Sequence, residues 1–573
     1  MQPHEELAEN LGRALRLGSE ALARWRALGA QASPGAMDGL RESFIEALRR
    51  LSAEPGRLEE AGRELEARLL ALWREPPAQP PRGDRRYRAP AWNDNPWLDL
   101  LRHTHHAGAE WLQQVVERAP GLEPHTARQA RFFARQLTEA LAPANHPLLN
   151  PEVLRTTLLT RGANLVRGME RLREDVERGG GQLVPRMVAP GAFQLGVDLA
   201  ATPGHVVHEA PLFQLIQYTP TTPSVYRRPL VIIPPWINKY YVLDLRPENS
   251  FVRWAVERGY TVFLLSWVNP DERCAEVDLE DYLLQGLVPA LDAVERATGE
   301  REVLALGYCS GGTLLAAALA YQAARGEQRI HRATLLATQV DFSEPGDLGL
   351  FVDARQLEHL EARMRQRGYL EGPALMSTFN LLRAGDLFWS FAVDSWLLGR
   401  EPPPLDFLYW NSDPTRMAAR AHATYLRSLY LRNQLVLPGA LSFGGVPLDL
   451  RRIHVPLYVL AAREDHIAPA RSVYQVTRHV SGPVRFVLAG SGHVAGIIHP
   501  PPGRYGYQSH EEPGGPASFD AWCEGARAHP GSWWTDWDAW LAPHAGEPTA
   551  PRPPSAYLEP APGRYVRVRA MPE

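Results

Sequence analysis

The run Gly307-Tyr308-Cys309-Ser310-Gly311 sets a thiol between two glycines, with the apolar run REVLALGY (301–308) leading into it and the Ala-rich run TLLAAALAYQAA (313–324) following. A strand that turns sharply into a helix at such a pentapeptide presents its central side chain as a nucleophile, here Cys309 where serine is more usual. The pentapeptide alone is a weak signal, because free cysteine is commonly a buried packing residue. Its position between strand and helix gives it weight. Cys274 and Cys523 have no such surroundings and read as structural.

A thiol nucleophile needs a base, and the base an orienting acid. The chain order expected with this turn is nucleophile, acid, histidine. Asp465 closes the apolar run VPLYVLAARED (455–465), and His493 closes VRFVLAGSGH (484–493). The 28 positions from 465 to 493 hold one helix and one strand, and the 156 from 309 to 465 leave room for an insertion. His466 adjoins the acid and is expected to support it from behind. His103, His105 and His106 look like a metal cluster but lack matched partners, and a solvated helix face is the better reading.

Attack on a carbonyl also calls for two backbone N–H donors aimed at the developing negative charge. Ser310, the residue after the nucleophile, supplies one. The other belongs after PLVIIPP (229–235), where Pro234 and Pro235 have no N–H. That leaves Trp236 or Ile237, and Ile237 is favoured. Lys239 lies two residues further on. It is the sole lysine among 61 Lys and Arg, so arginine does not replace it freely, and it is expected to support the loop.

The elements that carry these residues follow from periodicity. Residues 1–195 show apolar residues at helical spacing, interrupted by a Pro- and Arg-rich linker near 75–91. From 196 to 545, short β-branched runs alternate with helix-length segments, which indicates a mostly parallel sheet and, with the nucleophile elbow and the order nucleophile, acid, histidine, an α/β-hydrolase fold. The stretch 342–450 breaks this pattern and reads as a lid insertion. Its aromatics, Phe388, Trp389, Phe391, Trp396, Tyr409 and Trp410, line a channel, a dimer contact or the insertion's own core. Residues 546–573 read as an extended C-terminal tail.

Net charge is −4, which gives no basic field for nucleic acid. The acidic opening MQPHEELAEN is unlike the basic start of a signal peptide. No apolar run approaches the roughly 18 residues of a membrane helix. A cytoplasmic protein is expected, with no cofactor and no metal.

Several runs together resemble the polyhydroxyalkanoate synthases: PPWINKYYVLDLRPENSFVRWAVERGYTVFLLSWVNP (234–270), GYCSGG (307–312), REDHIAP (463–469), SGHVAG (491–496), HPGSWWTDWDAWL (529–541) and EPAPGRYV (559–566). The resemblance covers roughly residues 80–570 and is nearest to the homo-oligomeric class I type. It implies polymerisation of (R)-3-hydroxyacyl-CoA into a polyester with release of CoA. Cys309 would carry the acyl group, with His493 as base and Asp465 as third member, either orienting His493 or activating the hydroxyl. It further implies a homodimer, a growing polyester chain and association with polyester granules. Arg383, in TFNLLRAGDLFW (378–389), would meet CoA phosphates or a dimer partner. Ala495 matches the pattern of short-chain enzymes, so 3-hydroxybutyryl-CoA is the expected substrate.

The chain departs from the family at Trp236, where many relatives have Cys, at Ala470, where Trp is usual, and across SDPTRMAARAHATYL (412–426). Two other readings stand against this one: a thioesterase or ester hydrolase with the same triad and water as acceptor, and a catalytically silent homologue that coats granules, which the intact Cys309, Asp465 and His493 argue against.

Overall fold

The structure, a computed structural model, describes residues 2–29, 37–75, 84–180, 182–510 and 515–570. Part of the expected linker, 76–83, and the end of the expected tail, 571–573, lie outside the described residues. The chain forms two compact units. One comprises Met1–Ala192 and Pro373–Leu408, the other Phe193–Gly372 and Tyr409–Ala570. The stretch 342–450 is therefore shared between them.

The first unit is helical. Its principal helices are α1 (Pro3–Gly29), α2 (Met37–Ser52), α3 (Pro55–Arg74), α4 (Pro96–Glu117), α5 (Pro124–Ala140) and α6 (Ala163–Arg178). Proline opens several of them, where its missing N–H would have no partner anyway. Asn95 caps α4 by accepting from the amides of Trp97 and Leu98. Phe44, Ala47 and Leu51 of α2 pack with Val116, Ala130 and Ala134 of α4 and α5. The segment 373–408 joins this unit closely: a Cβ on Gly168 of α6 would strike the backbone of Trp396, and the Trp396 indole donates to Asp175 Oδ2 at 2.9 Å.

Two expectations change here. The described part of the expected linker is packed against the helices: Arg86 is buried and paired with Asp84 and Glu139, and Tyr87 packs edge-on against Trp92. The His103–His106 face of α4 is not solvated either. His103 is buried, His105 Nε2 meets the Thr138 carbonyl at 2.9 Å, and Tyr87 packs near His106. Burial pushes all three histidines below their usual range, His106 to about 4. Sequence periodicity marks a face, not what will cover it. Among the described residues, no group of three or more His, Cys, Asp or Glu is arranged to hold a metal, and no helix is long and apolar enough to cross a membrane.

The second unit is built on an eleven-stranded sheet. Its strands are β1 (Gly204–Ala210), β2 (Phe213–Tyr218), β3 (Leu230–Ile233), β4 (Val262–Trp267), β5 (Val303–Tyr308), β6 (Ile330–Leu336), β7 (Leu457–Ala462), β8 (Val484–Ala489), β9 (Tyr507–Ser509), β10 (Arg527–His529) and β11 (Glu559–Pro560). They run in the order β10-β9-β8-β7-β6-β5-β3-β4-β2-β1-β11. The six central strands, β8 to β4 in that order, are parallel. Strands β3, β4, β5 and β7 are buried at every residue, as their unbroken apolar runs require of a sheet covered on both faces. The edges are antiparallel: β2 joins β4 and hairpins with β1, β11 adds beyond it, and β9 and β10 extend the other side. The parallel expectation thus holds for the centre and is corrected at both edges.

Candidate active site

Cys309 stands between β5 and helix α7 (Ser310–Arg325) with φ 52° and ψ −123°, a conformation that non-glycine residues adopt only under constraint. The constraint comes from both sides. Cys309 N–H donates to Leu336 O on β6 at 2.9 Å, and Cys309 O accepts from the amides of Gly312 and Thr313. Gly311 has no room for a Cβ, which would fall against the carbonyls of Ile233 and Pro234. A side chain on Gly312 would strike Thr338. The motif's glycines therefore let α7 press against the end of β3. Ser310, 1% exposed, opens α7, where the first N–H groups have no intrahelical acceptor.

Asp465 and His493 lie in the loops after β7 and β8, neighbours in the sheet. His493 Nδ1 meets Asp465 Oδ2 at 2.7 Å, with the carboxylate side chain fully sealed and the imidazole 11% exposed. The other carboxylate oxygen accepts from the amides of Ile467 and Ala468 at 2.8 and 2.9 Å. The Cys309 side chain is near enough to act on the His493 ring electrostatically. With Nδ1 committed to Asp465, Nε2 is the atom left for sulfur. Burial works to lower the His493 pKa, but Asp465 and Cys309 together hold it well above the usual histidine value.

Two further contacts fix this histidine. Tyr308 stacks on its ring, with centroids 5.6 Å apart, and donates from its hydroxyl to His493 O at 3.1 Å. The loop beyond is tied to the helix Trp533–Leu541. Trp533 Nε1 donates to Gly496 O at 2.9 Å, and Trp534 Nε1 to Ile497 O at 3.0 Å. Trp533 and Trp534, the first two tryptophans of HPGSWWTDWDAWL, are the clamp behind the histidine loop.

The second proposed oxyanion donor, Ile237, is half-buried in the loop after β3. Beside it, Trp236 is buried, stacked on Tyr282 and edge-on to Tyr425. Tyr425 and Tyr430 flank the Cys309 side. Burial first, and then nearby groups including Cys309, raise both hydroxyls above the usual phenol range, so they are neutral donors. Lys239 is buried and lies 2.8 Å from Asp413 Oδ1, while Tyr241 donates to Asp413 Oδ2 at 2.9 Å. His466 follows Asp465 and accepts from Asp347 N–H through its backbone carbonyl.

Cys309, Asp465 and His493 are thus gathered at one sheet edge, while Arg383 belongs to the helical unit, where it pairs with Asp386 at 2.7 Å and is about half exposed. Sequence reasoning missed Tyr308, Tyr425, Asp413 and Thr415. Tyr425, Asp413 and Thr415 fall in the run 412–426, singled out only as a departure; the acid beside a proline, Asp413-Pro414, was the one available signal.

A parallel sheet with antiparallel flanks, a cysteine elbow and acid and histidine loops in that order define an α/β-hydrolase-fold enzyme, and residues 229–500 match the alpha/beta hydrolase fold family. Residues 83–255 match the N-terminus of poly-beta-hydroxybutyrate polymerase. The chain is 48% identical to a poly(3-hydroxyalkanoate) polymerase of Methylorubrum extorquens, over 88% of this chain and 84% of that one. It is 43% identical to the poly(3-hydroxyalkanoate) polymerase subunit of Rhizobium meliloti, over 99% and 95% of the two chains. For the corresponding subunit of Cupriavidus necator the identity is 38%, over 92% and 91%. The chain belongs to the poly(3-hydroxyalkanoate) polymerase family and is an enzyme of the acyltransferase type.

Proposed function

We propose that the chain polymerises (R)-3-hydroxyacyl-CoA, with short-chain monomers such as 3-hydroxybutyryl-CoA preferred, and releases CoA through a Cys309 thioester. The observation that carries this reading is Cys309 on its constrained elbow, beside a histidine backed at 2.7 Å by a sealed carboxylate. His493, held cationic beside Asp465 and Cys309, is placed to give a proton to the leaving sulfur. The thiolate adds to the thioester carbonyl, and the oxyanion meets the amides of Ser310 and Ile237. The C–S bond to CoA breaks, His493 gives its proton to the departing thiolate, and the acyl group stays on Cys309.

The hydroxyl of a second acyl unit then loses its proton to His493 and attacks the acyl-Cys309 carbonyl. An ester bond forms, the bond to Cys309 breaks, and the thiolate–imidazolium pair returns. Asp465 acts through His493 in this scheme, since both its oxygens are already engaged. The apolar shell of Trp236, Tyr425 and Tyr430 restricts water, which favours a hydroxyl acceptor over hydrolysis.

The enzyme would act as a cytoplasmic homodimer on the surface of the polyester granule it makes, with Arg383 meeting CoA phosphates or the partner subunit. Incubation with 3-hydroxybutyryl-CoA and with 3-hydroxyoctanoyl-CoA, following free CoA thiol and insoluble polymer, tests the reading. CoA release with polymer, faster for the shorter substrate, is expected. CoA release without polymer identifies a thioesterase, and neither product a silent granule-coating protein.

A further inference from the structure

The amide assigned above to the oxyanion lies in the peptide joining Trp236 to Ile237. A trans peptide is planar, with its carbonyl and N–H on opposite sides. Whatever holds the Trp236 carbonyl therefore aims the Ile237 N–H. Thr415 Oγ1 lies 3.2 Å from Trp236 O and also hydrogen-bonds Ile237 O, so its one hydroxyl proton is shared between two successive carbonyls of the loop. Thr415 is 5% exposed.

The residues around Thr415 hold the same loop at three more points. Pro414 bridges Asn238, Asp413 pairs with Lys239, and the Trp410 indole donates to Lys239 O at 2.8 Å. Four successive loop residues, 236 to 239, are thus gripped from one segment, 410 to 415. All of these contacts fall on the loop itself, and those from Thr415 hold the carbonyls of Trp236 and Ile237.

We infer that Thr415 is a positioning residue for the oxyanion donor, with the Asp413–Lys239 pair setting the register of the loop it grips. The inference rests on the acyl-transfer reading of Cys309. It separates two reactions of one sulfur. Attack on a thioester builds an oxyanion that the Ile237 amide must meet. Alkylation by iodoacetamide forms an S–C bond and expels iodide without building one. A misaimed amide slows the first reaction and leaves the second alone, whereas a damaged fold slows both.

The test measures iodoacetamide alkylation at Cys309, located by peptide mass, and the burst of CoA released from 3-hydroxybutyryl-CoA, in wild type, Thr415→Val and Thr415→Ser. Removing a whole oxyanion donor typically lowers the rate 10²–10³-fold, so misaiming one should slow acylation in Thr415→Val by about 10- to 100-fold, through kcat and not KM, with alkylation changed by less than about twofold. Thr415→Ser, which keeps the hydroxyl, should recover most of the acylation rate. Equal slowing of both reactions in Thr415→Val, or no slowing of acylation, would overturn the positioning role. A wild-type enzyme that is alkylated at Cys309 yet never releases CoA would instead overturn the acyl-transfer reading, and this inference with it.

Discussion

The ammonium of Lys239 lies 2.8 Å from Asp413 Oδ1, with the two side chains 4% and 2% exposed. Burial pulls the Lys239 pKa below the usual amine value, and the Asp413 carboxylate offsets only part of that. Removing one partner of such a pair strands a charge in the interior, which costs about 3–5 kcal/mol. Lys239→Met should destabilise by that order in chemical denaturation, and Lys239→Met with Asp413→Leu by clearly less.

Lys239→Arg should fold and turn over slowly. A guanidinium brings a wide planar fork with five donors into a site sized for an ammonium. Asp413 offers it few free lone pairs, since Tyr241 already uses one oxygen. Displacing the loop by about 1 Å lowers the rate by roughly a hundredfold. Steady-state kinetics should show the loss in kcat; a wild-type rate would mean that guanidinium and ammonium are interchangeable at this position.

Cys309→Ala should abolish covalent labelling by acyl-CoA, while Cys274→Ala and Cys523→Ala keep most activity. Only Cys309 is held at an elbow, and burial raises the thiol pKa of the other two, away from the reactive thiolate. Intact-mass measurement after exposure to substrate decides it: an acyl adduct surviving in Cys309→Ala would refute the assignment.

The histidine makes stability depend on pH in a defined direction. His493 titrates in the folded chain well above its ordinary value of 6.5. The folded state binds the proton more tightly than the unfolded state, so this contribution is complete below about pH 6.5 and fades as pH rises through the folded-state value. The stability difference between wild type and His493→Gln should therefore shrink from pH 6 to pH 9. A difference that grows over that range would contradict the cationic histidine.

Trp533→Phe keeps most of the ring and removes the indole N–H that holds Gly496 O. A buried carbonyl left without its donor costs about 1–3 kcal/mol. The histidine loop should loosen and kcat fall by about tenfold or more, since catalytic geometry tolerates little displacement. Unchanged kcat with lowered melting temperature would restrict the clamp to a structural role.

The sequence alone determined the central strands and the three residues gathered at their ends. Each carries a local signature: an unbroken apolar run for a strand buried on both faces, a glycine-flanked turn for Cys309, and strand-end loops for Asp465 and His493. The antiparallel edges were less legible, because β9, β10 and β11 are short and poor in apolar residues. What covers a helical face was not legible at all: the histidines of α4 read as solvated, yet His103 is buried and His105 and His106 are half-buried. Lys239 stood out as the lone lysine, but nothing near it in the chain could name Asp413, 174 positions away, or set Thr415 against the Trp236 carbonyl. Periodicity says which way a side chain points. Its partner is decided only when distant segments pack, and there the cost of an unpaired buried charge leaves one arrangement that satisfies both.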